Sequence, residues 1–516
     1  MNSNGLKAVI VGGGIAGLST AVYALKCGYN VELLEMNDMV GGLATSWRRG
    51  PYTFETCLHW LLGSKPGAEF NNYWEELFDF SKLRVINPDV FLQIERQSGD
   101  ALTIYTNVDK LETELLRRAP WDTKAIHDLT HMIRVLGRFK MLDPASGLST
   151  NWLKMLQDAP MFPLMSKLMR TTGSDFGKRF ADPLLQSFFA GGLGKLSAIA
   201  SVLSLAWMNS GNAGYPIGGS QAIIRLIEER IAELGGKISY QSKVRRILVE
   251  NDIATGVELE SGRVILADWV ISGADGHSTL FDLLGGRYIA PALQKKYDEG
   301  EAFPSYVQIS LGIAKNLKAE PPMVSILLDE PLSVDPGTEL DHIAVRFFHY
   351  DPTFAPPGKT AVTCFLPTYN YAFWEELRNN NAAAYCAEKY RVRDAVLAVL
   401  ERRMPGISAA VEVTDVATPA TVMRYTGNWR GSMEGWLIVP DSGIKPLPNT
   451  LPGLKNFFMV GQWISPGGGL PCGPMTARPV VKAMCRHDHV AFEVGAREGT
   501  PASQVPGHDQ AARVNH

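Results

Sequence analysis

The sequence predicts an α/β fold in which a parallel-sheet domain, assembled from three separated stretches of chain, is interrupted by an inserted α+β domain. Three observations predict it. Lys7 to Glu35 reads as strand, glycine turn, helix and second strand. Residues 67–215 lose that rhythm, and residues 215–275 regain it. Leu454 to Met484 then supplies another strand, a glycine-rich loop and a helix. A chain of 516 residues has room for two or more domains with large cores.

The first stretch, KAVIVGGGIAGLSTAVYALKCGYNVELLE, carries the clearest chemistry. Lys7 to Val11 is short, apolar and rich in branched residues, as a buried parallel strand should be. Gly12, Gly14 and Gly17 form a G-x-G-x-x-G turn. Gly12 permits the tight turn, Gly14 lets backbone approach a pyrophosphate, and Gly17 lets helix and strand pack closely. The helix over Ile15 to Cys27 would offer free N–H groups and a positive dipole end to phosphates, and Gly28 ends it. Glu35 closes the second strand, where a carboxylate accepts hydrogen bonds from ribose hydroxyls and repels a 2′-phosphate. A Rossmann-type dinucleotide site with no NADP preference follows.

Next comes Met36 to Ser64. Gly41-Gly42 marks a turn, and Arg48-Arg49 is either a cation beside a pyrophosphate or a solvated pair. Tyr52 to Glu55 reads as a strand. His59-Trp60 sits among apolar residues, so His59 is open to two readings, a satisfied core histidine or a catalyst. Between 67 and 215, Phe70 to Phe80, Val108 to Arg118 and Thr123 to Lys140 read as helices. Trp152 to Met169, rich in Met, Leu and Phe, could line a pocket for a long apolar molecule, dip into a membrane surface, or form plain core.

In 215–275, Ser220 is the expected N-cap of a helix through Leu234. Strands are expected at Lys237 to Tyr240, Val244 to Glu250, Ala254 to Leu259, Val264 to Leu266 and Trp269 to Ser272. Between 280 and 425, Ser305 to Ala314, His342 to His349 and Thr360 to Leu366 read as strands, and Ala382 to Met404 as a long helix. Tyr425 to Trp436 sets two tryptophans among glycines. In the last stretch, Phe457 to Val460 is a buried strand, and a helix from Pro474 follows a loop that can aim N–H groups at an electron-rich ring. Residues 496–516 are polar and expected to fray.

Whole-chain properties exclude several classes. Net charge is −3, so nothing points to nucleic acid. The six cysteines form no C-x-x-C pair or zinc pattern, which suits a reducing cytoplasm and offers no metal site. Residues 1–6 are too short and polar for a signal peptide, and no apolar run reaches about 18 residues. Peripheral membrane contact stays open.

Together these motifs resemble the FAD-dependent phytoene desaturase, carotenoid isomerase and retinol saturase family, within the amine-oxidase-like flavoprotein superfamily. VGGGIAGLST with Glu35 and Gly41-Gly42 resembles its dinucleotide segment, GGSQAIIRLIEERIAELGGKISYQSKVRRI its middle segment, and VGQWISPGGGLPCG its closing segment. The resemblance implies FAD as cofactor. Its contacts would be Gly12, Gly14, Ile15, Ala16, Gly17, Glu35, Met36, Gly41, Gly42, Leu43 and Arg48, then Val244, and finally Gly461, Gln462, Gly469, Leu470 and Pro471. It further implies an FAD-binding domain of residues 1–66, 215–280 and 425–495, and a substrate domain of 67–214 and 281–424. Gln462 stands where many superfamily members carry an acid, and it can still hydrogen-bond. His59 in CLHWLLGS resembles the G-I-H-Y-like stretch of retinol saturases, which turns it toward the flavin.

With one dinucleotide fingerprint and no redox cysteine pair, no NAD(P)H domain is expected. Electrons would pass to a quinone, oxygen or an outside reductase, or stay in the flavin during isomerisation. The expected activity is desaturation, saturation or isomerisation of a long apolar polyene entering between the domains. His59 would be acid or base with an ionisation near neutrality, and the Gly469–Gly473 turn would face negative charge on the flavin. An amine or amino-acid oxidase with Trp429 and Trp436 in its tunnel is the second reading, and a flavin-free lipid-binding escort protein the third.

Overall fold

Branched apolar strands pair to make the central sheet of this computed structural model, which describes residues 5–68, 70–138, 161–191, 194–440 and 446–495. The sheet has five strands in the order Lys237–Ser239, Asn30–Leu34, Lys7–Val11, Trp269–Ser272 and Phe457–Met459, all parallel. Its strands come from all three stretches that the sequence sets apart. Helix Ile15–Lys26 lies beside it, buried from Ala16 to Leu25, and packs on helices Gly219–Glu233 and Cys472–His487. Such all-round burial needs small residues. A Cβ at Gly17 would stand 2.0 Å from the Gly12 carbonyl oxygen, so only glycine lets the helix start this close to the turn.

A second sheet of seven strands runs Val411–Ala417, Ser305–Ile313, Thr360–Thr368, Thr338–Phe347, Met323–Asp335, Val90–Arg96 and Ala101–Tyr105. All its pairings are antiparallel except Met323–Asp335 with Val90–Arg96. Ile343, Val345 and Phe347 join Val392, Val396 and Leu400 of helix Ala382–Arg403 in one core. Side chains alternate across a strand, so Arg346 belongs to the opposite face. A separate core beneath Leu92, Ile94, Leu102 and Ile104 holds the helices Val108–Arg118, Thr123–Leu136 and Ile199–Asn209.

Several sequence expectations change. The interval 67–215 also contains the strands Val90–Arg96 and Ala101–Tyr105, whose alternating buried residues Leu92, Ile94, Leu102 and Ile104 carry a period of two. Met323–Asp335 and Val411–Ala417 are further strands that the sequence reading lacks. Ser220 is not an N-cap: the helix starts at Gly219 behind Gly218, whose φ is +91°, and the buried Ser220 hydroxyl has no partner. Of Trp152 to Met169, only Met161–Met169 is described, as a helix with Phe162 exposed. Residues 139–140, 152–160 and 496–516 lie outside the described residues. Among the described residues no helix is long and apolar enough to cross a membrane.

Candidate functional site

Three segments far apart in sequence converge on the start of helix Ile15–Lys26. Gly12, with φ +93°, donates to the Leu34 carbonyl at 2.9 Å and turns the chain. Gly13 donates at 2.8 Å to Glu35 Oε2, while Glu35 Oε1 accepts from the Asn37 N–H and Nδ2 at 2.9 Å each. Glu35 is buried and braces the turn from the end of the second strand. A Cβ at Gly14 would meet nothing within 4 Å, so the turn presents open space there. The helix N-terminus beside it has no side-chain cap, which leaves first-turn amides for a ligand. That pairing of bare backbone and uncapped amides fits a pyrophosphate.

Gly41 donates to the Gly13 carbonyl at 2.8 Å, and Gly42 lies against Gly14. Met36 and Leu43 are half-buried nearby in sequence. The Ser242 N–H reaches the Glu35 carbonyl at 2.8 Å, bringing the buried Val244 toward the Glu35 end. From the closing segment, a Cβ on Gly461 would sit 3.3 Å from Ala16, and one on Gly473 would sit 2.8 Å from Ile15. Gln462 donates from Nε2 to Asn428 Oδ1 at 3.2 Å. Arg48 is exposed on strand Ser46–Arg49, whereas its neighbour Arg49 pairs with Asp415 at 2.8 Å.

One expectation is revised at the start of the last helix. The Cys472 N–H donates to Gly469 and the Gly473 N–H to Leu470, at 3.2 and 3.1 Å, and Pro474 has no N–H. The first-turn amides of helix Cys472–His487 are therefore already engaged, and the helix can act on a ring only through its dipole.

The face of the seven-stranded sheet that carries Arg346 borders a small, partly open cavity. Trp60, Ile86, Pro88, Phe91, Met208 and Met323 give it apolar walls, and His59, Arg346, Tyr215 and Tyr350 give it a polar end. His59 is exposed and lines this cavity. Desolvation by the surrounding cavity walls, reinforced by the positive charge of Arg346, lowers its pKa to about 3. The near-neutral ionisation expected of His59 is thus not what its surroundings allow; the ring is neutral at physiological pH.

Arg346 is 6% exposed. Its Nη2 donates to the Leu58 carbonyl at 2.9 Å and to the Tyr350 hydroxyl at 3.3 Å. Glu55 is buried on the same strand-to-loop corner. Its Oε1 accepts from the Leu58 and Ser220 N–H groups at 3.0 Å each, Oε2 has no partner, and burial raises its pKa to about 7.

Sequence reasoning missed a second acid. Glu434 packs against the closing loop, where a Cβ on Gly468 would lie 2.4 Å from the Glu434 Cβ. Among the described residues its carboxylate has no hydrogen bond or ion pair, and burial raises its pKa to about 7. The signal was a lone acid inside the glycine- and tryptophan-rich Tyr425 to Trp436. The two tryptophans of that run pack structurally: Trp436 is fully buried, and Trp429 stacks on His277 with centroids 5.3 Å apart.

Comparison with known proteins places these features in context. The family model for flavin containing amine oxidoreductase matches residues 15–468. Prolycopene isomerase of Daucus carota is 23% identical, with 96% of this chain and 81% of the relative aligned. The neurosporene-forming phytoene desaturase of Rhodobacter capsulatus is 26% identical over 91% of this chain and 92% of the relative. Among solved structures, cyclohexylamine oxidase from Brevibacterium oxydans superposes with a TM-score of 0.58 at 13% identity, covering 94% of this chain and 99% of that one. An oxidoreductase from Methanosarcina mazei gives 0.57 at 19% identity, covering 92% and 100%.

Proposed function

The chain belongs to the flavin containing amine oxidoreductase family and is an FAD-dependent oxidoreductase, and from that premise we propose that it acts on carbon–carbon bonds of a long apolar polyene or isoprenoid-type lipid, by desaturation, saturation or cis/trans isomerisation. The observation that carries this reading is the cavity between apolar walls and His59, on the chain segment that leaves the dinucleotide turn. The names of its relatives, phytoene desaturases and prolycopene isomerases, support the same substrate class.

In this reading Gly12, Gly14, Ile15, Ala16 and Gly17 hold the pyrophosphate, and Glu35 the adenosine ribose. Met36 and Val244 border the adenine. Gly41, Gly42, Leu43 and Arg48 follow the diphosphate outward, and Gly461, Gln462, Gly469, Leu470 and Pro471 line the ribityl and ring side. FAD supplies a two-electron acceptor or donor for a hydride equivalent. The protein supplies orientation, exclusion of water and proton control. The neutral ring of His59 would orient the substrate by hydrogen bonding or by contact. Glu434, close to half-protonated near neutrality, would hold or release the matching proton at its carboxyl oxygen. The electron partner would be a quinone, oxygen or an outside reductase. Phe162, exposed on helix Met161–Met169, suits a peripheral contact with a membrane.

An anaerobic absorption titration tests the reading. The purified protein should show flavin bands from 300 to 600 nm (a window set by the chromophore), and a carotenoid or retinol should alter them in the oxidised or the pre-reduced enzyme. Flavin bands indifferent to polyenes in both redox states, yet bleached by an amine with release of peroxide, would replace it with the amine-oxidase reading.

A further inference from the structure

Arg346 is a cation where the fold has little use for one. It occupies strand Thr338–Phe347 opposite Met323, on the face that borders the cavity. A buried guanidinium stays charged and is costly unless an anion or a full set of acceptors meets it. Here one nitrogen, Nη2, meets a carbonyl and a tyrosine hydroxyl, and the Phe348 ring lies 4.7 Å from the guanidinium carbon. No carboxylate lies within 4.0 Å of it among the described residues.

Glu55 is the carboxylate whose charge acts on Arg346, but Glu55 is turned elsewhere. Its Oε1 is spent on two backbone N–H groups and its Oε2 lies over Gly219, where a Cβ would stand only 1.7 Å away. Arg346 thus lines the cavity without a protein anion on its guanidinium. The walls beyond them are apolar, from Trp60, Ile86, Phe91, Met208 and Met323.

We infer that this cavity binds an amphipathic ligand, a long apolar chain bearing one carboxylate, with the carboxylate on Arg346 and the chain along the apolar walls. A single guanidinium beside a neutral His59 matches one negative charge in the fork geometry of a carboxylate. A diphosphate would call for more cations, and Arg346 is the one Lys or Arg in the lining. Thr106 and Asn87 in the wall leave room for polar substitution along the chain. The inference deepens the reading above and rests on it for the apolar chain.

Calorimetric titration of the FAD-loaded protein at pH 8 tests it, using retinoate and retinol as a matched carboxylate and alcohol. Retinoate should bind about tenfold or more tighter than retinol. R346Q should lose that preference while still binding retinol, and R346K should recover part of it. Equal affinities in the native protein, a preference that survives in R346Q, or tighter binding of geranylgeranyl diphosphate than of retinoate would each overturn the assignment. If R346Q fails to fold, the native protein's retinoate-to-retinol ratio decides. Flavin absorbance is followed in the same titrations. Retinoate that binds with the expected preference, together with a flavin that retinoate, retinol and a carotenoid all leave unchanged in both redox states, would support the Arg346 site and remove the polyene redox reading.

Discussion

Desolvation sets the charge of His59 and Glu434 around the candidate site. His59 is pushed down to about 3, and Glu434 up to about 7. A carboxyl group whose folded pKa exceeds its unfolded value contributes stability below the unfolded value and loses it as pH rises through the folded one. For Glu434 that window runs from about 4.5 to about 7. E434Q should therefore match the native melting temperature at pH 5 and exceed it at pH 8, by an amount worth at most roughly 3 kcal/mol. Melting curves at the two pH values check this, and an equal shift at both would mean that burial does not raise the pKa of Glu434.

His59 has the opposite sign. Its folded pKa is depressed, so stability is present above 6.5 and is lost as pH falls toward 3. His59→Ala should keep its FAD and slow turnover about tenfold or more, and His59 should impose no ionisation between pH 5 and 8 on the native rate profile. A rate equal to the native one in His59→Ala would remove it from the mechanism. His59 itself was legible as a candidate because it sits in an apolar run beside Trp60. Its charge state was not, because that depends first on desolvation by the folded surroundings and then on Arg346, which is distant in sequence and arrives only through the second sheet. Arg346 did leave a trace, as the one charged residue in the apolar run Ile343 to Phe348.

At the scale of the element, the glycine turn separates binding from folding. Gly14 faces open space and Gly17 faces the Gly12 carbonyl. Gly14→Ala should therefore fold with a near-native apo melting temperature and lose FAD affinity, because the methyl group fills the pyrophosphate position. Gly17→Ala should lower the apo melting temperature itself, because the 2.0 Å approach forces helix and turn apart. FAD content by absorbance and apo melting curves separate the two; equal effects of both variants on apo stability would contradict this division. The turn was fully legible, since its glycines answer to local geometry. The strands Val90–Arg96 and Ala101–Tyr105 were harder to see. Each carries the alternation of a half-buried strand, but the helices that follow dominate the interval, and the partner strand Met323–Asp335 lies more than 200 residues later.

At the scale of the whole molecule, the seven-stranded sheet ties two remote stretches into one unit. Val324 to Leu327 pair with Gln93 to Arg96. Segments joined by such a ladder should open together. In native-state hydrogen exchange, residues 92–96 and 324–327 should share one opening free energy. Removing FAD should raise exchange at 13–17 and 41–43 while leaving that sheet unchanged. Separate openings for the two strands would show that the remote pairing is not a cooperative unit.

The sequence by itself determined the dinucleotide turn, the parallel strands that flank it, and the three-part assembly of the sheet. These depend on contacts among near neighbours: glycine sterics, strand branching and helix termini. The resemblance carried by the same motifs identified the flavin. Only the tertiary structure decided which side chains share the cavity and which of them carry charge. Arg346, His59, Glu55 and Tyr350 meet because the inserted sheet folds back on the loop after strand Tyr52–Glu55. Desolvation and cross-chain charge, the two effects that set those protonation states, have no counterpart in local sequence.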